Sequence, residues 1–199
     1  MMLLLWLVAA MTFMSCTSRN RANYPDFTSS VYQGDTLVAA DTLNSEMRYA
    51  LEREIILNQV KGIYGMVKAD YMAHGGSRES ELFDRAFCSK AWNKLLLSVR
   101  CKEERTDRLF FEINPWSMMR YAGAIVSFDE FEVTNLVMEP QRKASVNFTV
   151  SDVDTYTPAR IDLVYEDGRW KIDNFYNLRY MLDVRNCMWK YLATDYDYM

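Results

Sequence analysis

Side chains that could act as an acid, a base or a nucleophile occur in this sequence without a recognisable catalytic motif. The single histidine, His74, directly precedes Gly75 and Gly76, a pattern typical of a helix end rather than of a catalyst. One histidine also argues against a multi-histidine metal site, although a site built from carboxylates stays open. Glu112 and Asp129 are candidates for an acid or a base only if folding brings them to a cavity. The sequence therefore predicts no catalytic residue, no metal site and no cofactor.

Four cysteines are present, at positions 16, 88, 101 and 187. Cys88 and Cys101 flank a helical stretch, in which thirteen residues would separate them by about 20 Å. A disulfide needs Cα atoms within about 7 Å, so this pair would require the helix to break. Cys88 and Cys187 lie beside apolar stripes, which favours buried inert thiols. We expect no structural disulfide.

The first fifteen residues carry no charge and are mostly apolar. They fall short of the ~20 apolar residues that span a bilayer, but they fit the apolar region of a secretory signal. The following Phe13-Met14-Ser15-Cys16 resembles the lipobox of bacterial lipoproteins. The resemblance implies that Cys16 becomes an acylated, palmitate-bearing N-terminus and that the lipid anchors the chain in a membrane. An uncleaved anchor and an ordinary signal peptide remain alternatives.

The resemblance divides the chain into a signal peptide (1–15), a lipidated cysteine with a polar tether (16–43), one α+β domain (44–194) and a frayed tail (195–199). Arg19 and Arg21 follow Cys16 in place of an acidic run, which favours the periplasmic side of the envelope. The tether contains Asp35-Thr36-Leu37 and Asp41-Thr42-Leu43, which resemble bacterial O-glycosylation acceptors. A plain linker explains these tripeptides equally well.

The composition indicates one folded domain. Half of the 199 residues are hydrophobic and 14% are aromatic, which supplies a core and excludes a disordered chain. The net charge is −4 and the pI is about 5.1, without a basic stripe. Nucleic-acid binding is therefore excluded.

Apolar residues at spacings of three and four predict helices in the first half of the domain. The first runs from Asn44 or Ser45 to about residue 73, and Gly62 and Gly65 interrupt it. The second runs from Ser80 to about Val99. The predicted buried face of the first helix is Ile56, Val60, Ile63, Val67 and Tyr71. In the second helix it is Phe83, Phe87, Ala91, Leu95 and Val99, and Cys88, Trp92 and Leu96 widen it.

Alternating apolar residues then predict three or four antiparallel strands with one buried face, which the two helices cover. A change of phase near Asn135 predicts a β-bulge, and Asp167-Gly168 predicts a hairpin turn. A last helix is predicted from Leu178 to Leu192, with its apolar side at Met181, Leu182, Met188, Trp189 and Leu192. The inward strand positions are predicted to be Val146, Phe148, Ile161, Leu163, Trp170 and Ile172, with Asp162 and Asp173 on the outward set.

This order of elements resembles the nuclear transport factor 2-like fold and, more narrowly, an uncharacterised family of bacterial periplasmic lipoproteins with that fold. The residues that carry the resemblance are Phe87-Cys88-Ser89-Lys90-Ala91-Trp92 and the hairpin 164–173, within a span of about residues 46–176. The resemblance implies a bent sheet that forms a cone with the helices, and an extra C-terminal helix beyond the usual fold. Enzymes with this fold use an Asp or a His inside the cone, often with Tyr donors.

If the domain has a pocket or an interface, we expect Trp92, Trp116, Tyr121 and Phe148 to lie near it, since the aromatic stretch at 110–121 fits neither period. The expected function is that of a membrane-anchored periplasmic lipoprotein whose domain binds a small ligand, a peptide or an envelope protein without catalysis. The alternatives are a small isomerase or hydrolase with a buried carboxylate in the cone, and an envelope structural protein without a pocket.

Overall fold

Three helices precede the sheet in the computed structural model, which describes residues 36–74, 80–110, 114–118, 126–153 and 155–194. The helices are α1 (Thr36–His74), α2 (Ser80–Phe87) and α3 (Lys90–Thr106). Of residues 36–43 and of Ser80 only the backbone is described. The predicted leader, Cys16, Glu112, Tyr121 and the predicted tail lie outside the described residues.

The sheet has five strands in the order β1-β2-β3-β4-β5, and every neighbouring pair is antiparallel. The strands are β1 (Ser127–Val137), β2 (Lys143–Asp152), β3 (Thr155–Glu166), β4 (Arg169–Asn177) and β5 (Leu182–Asp183), and the helix α4 (Val184–Ala193) follows them. The predicted α+β class, with helices before an antiparallel sheet and a helix at the end, is confirmed.

The core lies between the helices and one face of the sheet. All six strand positions predicted to point inward are buried, and so are all five positions of the predicted face of α1. Polar contacts fix α1 across the sheet, since Gln59 Nε2 donates to the Trp170 carbonyl (2.6 Å) and Arg53 Nη1 donates to the Val133 carbonyl (3.3 Å). One helix therefore reaches from the edge strand β1 to β4.

β1 is irregular at two places. The predicted bulge near Asn135 is confirmed by a register shift between Val133 and Asn135. A second shift lies between Asp129 and Glu132, where Glu130 has a φ of 57°. Such bulges bend an edge strand and redirect its side chains, so the first half of β1 leaves the regular ladder close to α1.

The prediction of one continuous helix from Ser80 to Val99 is wrong, because the helix breaks at Cys88 and Ser89. Ser89 is the N-cap of α3: its hydroxyl accepts from the Trp92 N–H (2.9 Å), and its own N–H donates to the Ile172 carbonyl (2.7 Å). These two hydrogen bonds compete with the backbone hydrogen bonds that would continue α2 directly into α3. The predicted stripe continues after the break, since Trp92, Leu95, Leu96 and Val99 are buried, but Ala91, predicted to be buried, is exposed.

The C-terminal helix begins at Val184 and not at Leu178 as predicted. Residues 178–181 form a turn that leads into β5, and Asp183 caps α4 by accepting from the Asn186 N–H (2.9 Å). The buried side of α4 consists of Val184, Met188 and Tyr191, whereas Met181 and Trp189 of the predicted side are exposed. Residues 178–183, predicted to begin the helix, instead form the turn and β5.

The start of α1 also differs from the prediction, since its backbone is helical from Thr36, within the segment assigned to the tether. The thiols of Cys88, Cys101 and Cys187 are free. None of the helices in the described part of the chain is both long enough and apolar enough to cross a bilayer.

Candidate functional site

A cleft of about 510 Å³ lies between α1 and the irregular first half of β1. We call it the α1–β1 cleft. Its volume falls within the range of ordinary small-molecule sites. The residues that line it come from two helical turns of α1 and one stretch of β1: Lys61, Tyr64, Gly65, Lys68 and residues 128–131.

The floor of the cleft is aromatic. The Tyr64 ring packs against Phe128 (4.8 Å between centroids) and Phe131 (5.7 Å). Beneath them Phe148 stacks on Phe131 with an interplanar angle of 14° and contacts Tyr64 at 4.6 Å. These rings fix one another in tilted and stacked arrangements that aromatic pairs prefer. Tyr64, Phe128 and Phe148 are buried and Phe131 is half-buried, so the floor is rigid but exposes little apolar surface.

Charged side chains surround this floor. Lys61 and Lys68 are exposed on α1, seven residues apart, so they lie on the same side of the helix two turns from each other. Across the cleft the carboxylates are already engaged: Asp129 accepts from the Ser127 hydroxyl (2.6 Å), and Glu130 accepts from Thr149 (2.7 Å). The cleft thus presents two ammonium groups on α1, opposite two carboxylates of β1 that remain charged but already accept hydrogen bonds.

Glu130 is held in a conformation that few residues other than glycine adopt. Its φ is 57°, and its carboxylate accepts from both the Thr149 hydroxyl and the Tyr156 hydroxyl, the latter at 3.0 Å. These two hydrogen bonds lower the pKa of the Glu130 carboxyl. Backbone strain of this kind persists where the surroundings enforce it and is frequent at ligand sites.

A second group of polar side chains lies inside the domain, around Asp84 of α2. Its carboxylate accepts from the Trp116 indole Nε1 at 3.1 Å and from the Cys88 thiol at 3.8 Å, and Arg100 Nη2 of α3 lies 3.7 Å from its other oxygen. The Trp92 indole also lowers the pKa of this carboxyl, although its geometry falls short of a hydrogen bond. We call these five residues the Asp84 centre.

Burial dominates the electrostatics of the Asp84 centre. Only 6% of Asp84 is exposed, and this desolvation raises the pKa of its carboxyl to about 6, against the lowering effects of Trp116 and Arg100. Burial, together with the charge of Asp84, raises the pKa of the Cys88 thiol. The thiol consequently stays protonated and acts as a donor rather than a nucleophile. A carboxyl that titrates near pH 6 can act as a proton donor or acceptor close to neutrality.

The Asp84 centre has one described route to the surface. A groove of about 350 Å³ between α2 and α3 is lined by Glu81, Asp84, Asn93, Leu97 and Arg100, among others. Arg100 spans its mouth, since Nη1 lies 3.1 Å from Glu81 while Nη2 reaches Asp84. Movement of the Arg100 side chain would expose the carboxylate of Asp84 to the groove.

Two tyrosines lie on the inner side of the Asp84 centre. The Tyr64 hydroxyl is buried without a hydrogen-bond partner among the described residues. Burial raises its pKa, and Cys88 and Tyr71 add to the rise, which places all three groups near one another. Burial also raises the pKa of Tyr71, against the effect of the neighbouring Ser117 hydroxyl. Tyr64 therefore belongs to both sites, through its ring in the cleft and its hydroxyl in the interior.

The residues predicted to mark a pocket divide between the two sites. Phe148 underlies the α1–β1 cleft, while Trp92 and Trp116 pack against Phe175 at 4.9 and 5.1 Å in the core and border the Asp84 centre. Tyr121 lies outside the described residues. Trp92, Trp116 and Phe148 are all buried, so each can support a site from below and none presents an open surface.

The three candidates for an acid or a base have different surroundings. Asp129 borders the α1–β1 cleft. His74 ends α1, with its Nδ1 3.1 Å from the Asp70 carboxylate one turn earlier and with half of its side chain exposed, which agrees with the interpretation as a helix end. Glu112 lies outside the described residues. The structure thus brings Asp129 to a cavity but not to the Asp84 centre.

Asp84, Arg100 and Tyr64 were missed by reasoning from the sequence. One signal for Asp84 was available: positions 84, 88 and 92 are four residues apart, which places a carboxylate on the same side as Cys88 and Trp92. The contact with Trp116 had no signal, because it joins residues that are 32 positions apart. No group of three or more potential metal ligands occurs among the described residues.

The chain matches no protein-family model, and it has no significant sequence similarity to a curated protein.

Proposed function

We propose that the chain is a membrane-anchored periplasmic lipoprotein whose single domain binds a small ligand in the α1–β1 cleft without transforming it. The observation that carries the proposal is the cleft itself: about 510 Å³, with a rigid aromatic floor and two lysines on its rim. The anchoring part of the proposal rests on the uncharged leader and the lipobox-like residues that end at Cys16.

The lining indicates the chemistry of the ligand. An aromatic floor favours a flat or apolar body, and Lys61 and Lys68 favour an anionic group at its edge. The two carboxylates of the cleft already accept hydrogen bonds, so a cationic ligand would find fewer open acceptors. We therefore propose an amphipathic anion of small-molecule size.

The proposed architecture is a nuclear transport factor 2-like cone. In its support, α1 and α3 pack on one face of an antiparallel meander, the edge strand β1 is bulged twice, and the inward strand positions are apolar. The resemblance implies that such a cone can enclose a cavity, and the α1–β1 cleft lies between a helix and the edge strand of the sheet.

A binding titration with the full chain in detergent tests the ligand site. The probe is 1-anilinonaphthalene-8-sulfonate, an aromatic anion whose fluorescence rises in apolar surroundings. We expect saturable binding at one site, weakened about threefold to tenfold in Lys68→Gln because one ion contact of roughly 1 kcal/mol is lost. Lys94→Gln, an exposed lysine of α3 away from the cleft, is the matched control. Equal affinities in the two variants would refute the site.

A second candidate function, a small isomerase or hydrolase, is favoured by one observation, the buried Asp84 carboxyl with a pKa of about 6 beside the groove at Arg100. Asp84 would move a proton between substrate atoms, and Arg100 would hold an anionic substrate. Hydrolysis of p-nitrophenyl acetate tests the idea: the native chain should show a rate that changes with pH near 6 and that Asp84→Asn lacks. Identical pH–rate profiles for the two proteins would remove this candidate.

A further inference from the structure

One stripe on the solvent-facing side of α1 is apolar except at the exposed Asn58 in its middle, although it is turned away from the core. Residues spaced three and four apart on this side form what we call the outer face of α1: Met47, Leu51, Ile55, Gly62, Gly65 and Ala69. All six are exposed, and half of the Leu51 side chain is open to solvent. A solvated helix face normally carries charged or polar residues, so this composition calls for a covering element.

The two glycines of this face have no packing role within the described domain. A Cβ added to Gly62 or Gly65 would meet no described atom within 4 Å. Glycine in the middle of a helix is destabilising relative to alanine, and close approach of another backbone is what commonly offsets that loss. These glycines therefore have no close-packed partner inside the described residues.

From these observations we infer that two copies of the chain associate through the outer face of α1, with the two helices antiparallel. The large residues of the face, Met47, Leu51 and Ile55, lie in its N-terminal half, and the small residues lie in its C-terminal half. An antiparallel pair centred near Asn58 places Leu51 of one copy over Gly65 of the other, and Met47 over Ala69. Each large side chain then enters a hole left by a small one.

Charges beside the face support the same orientation. Glu54 and Lys61 are exposed on α1, on opposite sides of Asn58 along the helix. In the antiparallel pair Glu54 of one copy faces Lys61 of the other, whereas a parallel pair would separate these two residues by about 10 Å along the helix axis. Opposite charges across a helix pair set partner orientation, and like charges oppose it.

The length of the face sets the expected strength. From Met47 to Ala69 it covers about 33 Å of helix, one helix diameter (about 10 Å) wide, or roughly 330 Å² per copy, which is below the standard size of specific interfaces and fits a weak, transient dimer. We therefore expect a dissociation constant of about 100 µM or higher. The outer face of α1 and the α1–β1 cleft share Gly65 and the neighbouring Lys61. Leu51 and Gly62 do not line the cleft, so variants at these two positions test association separately from ligand binding.

Cysteine cross-linking of the full chain in detergent tests the orientation, in a Cys101→Ser/Cys187→Ser background that serves as the blank. The double variant Leu51→Cys/Gly65→Cys should oxidise to a covalent dimer. Leu51→Cys alone should not, because the two copies of position 51 lie about 21 Å apart along the antiparallel axis. Efficient cross-linking of Leu51→Cys alone, or none in the double variant, would overturn the inference.

Sedimentation velocity measures whether the same face drives association. Leu51→Glu should raise the dissociation constant at least tenfold, while Leu97→Glu should leave it unchanged, because Leu97 is a similarly exposed leucine on α3. Gly62→Leu fills a hole in the face and favours the helical state. It should therefore leave the far-ultraviolet circular dichroism spectrum unchanged and still dissociate the dimer. A native chain that stays monomeric up to about 1 mM, above the expected constant, would refute the proposal.

Discussion

The indole Nε1 of Trp116 donates a 3.1 Å hydrogen bond to Oδ1 of Asp84, and both residues are buried. The bond joins the short segment 114–118 to α2 and satisfies one oxygen of a carboxylate that is almost removed from water. Trp116, Arg100 and Cys88 together do not offset that desolvation, and the pKa of the carboxyl is raised to about 6. Asp84 is therefore an ionised group at neutral pH in an environment that favours its neutral form.

The pH dependence of stability follows from this pKa. The carboxyl of Asp84 titrates near 3.8 in the unfolded chain and near 6 in the folded one, so the folded state binds more protons between these values. The free energy of unfolding should fall as pH rises through this window, by about 3 kcal/mol for this group. Asp84→Asn should match the native chain at pH 4 and exceed its stability at pH 7.5, as measured by urea unfolding at both values.

Glu130→Gln is the control of opposite sign for this experiment. Hydrogen bonds from Thr149 and Tyr156 lower the pKa of Glu130, so its stabilisation is present above its ordinary pKa of 4.5 and is lost as pH falls. The variant should be less stable than the native chain at neutral pH and approach it in acid. If Asp84→Asn showed the same pH trend as Glu130→Gln, burial of the Asp84 charge would not be the dominant effect.

Ser89 joins the helix break to the sheet, and its loss should be costly. Its hydroxyl caps α3 through the Trp92 N–H and donates to Asp173 Oδ1 at 2.6 Å. Ser89→Ala should lower the free energy of unfolding by about 2 kcal/mol, since it removes a cap and leaves a carboxylate with one donor fewer. Chemical denaturation measures the effect. Ser98→Ala on the exposed side of the same helix should change stability by less than about 0.5 kcal/mol; equal losses in the two variants would contradict the role of Ser89.

The buried hydroxyl of Tyr64 predicts a stabilising substitution. It has no hydrogen-bond partner among the described residues, and an unsatisfied buried polar group is destabilising by roughly 1–3 kcal/mol. Tyr64→Phe should raise the free energy of unfolding by about 1 kcal/mol. Tyr191→Phe should lower it, because the Tyr191 hydroxyl donates to the Arg108 carbonyl at 3.0 Å. A loss of stability in Tyr64→Phe would mean that the hydroxyl is satisfied in solution.

The proposed anchor is tested by fractionation of cells that express the full chain. Cys16→Ser should move the protein from the membrane to the soluble fraction, since acyl chains on that sulfur would supply the membrane affinity. Cys101→Ser, at an exposed thiol within α3, should remain with the membrane. Retention of Cys16→Ser in membranes, or an intact protein mass without added acyl groups, would contradict the lipoprotein proposal.

The periodic parts of the fold were predictable because each depends on local spacing. The strands β2 to β4, the buried face of α1 and the turn at Asp167-Gly168 agree with their predictions, since alternation and spacings of three and four report which side of an element meets apolar surroundings. The bulge near Asn135 was predictable for the same reason, because an extra residue inverts the alternation. Element ends were less predictable: Ser89 breaks a helix by bonding to Ile172, which is distant in sequence.

What the sequence by itself determined is the fold class and the single apolar face of the sheet, both of which follow from composition and period. The tertiary structure alone decided where chemistry is possible. It buried Asp84 against Trp116, set Lys61 and Lys68 beside a bulged strand, and left the outer face of α1 uncovered. The physical reason is that burial and contacts between residues distant in the sequence set the pKa of Asp84 and the shape of the cleft. Neither that pKa nor that shape can be read from neighbouring positions.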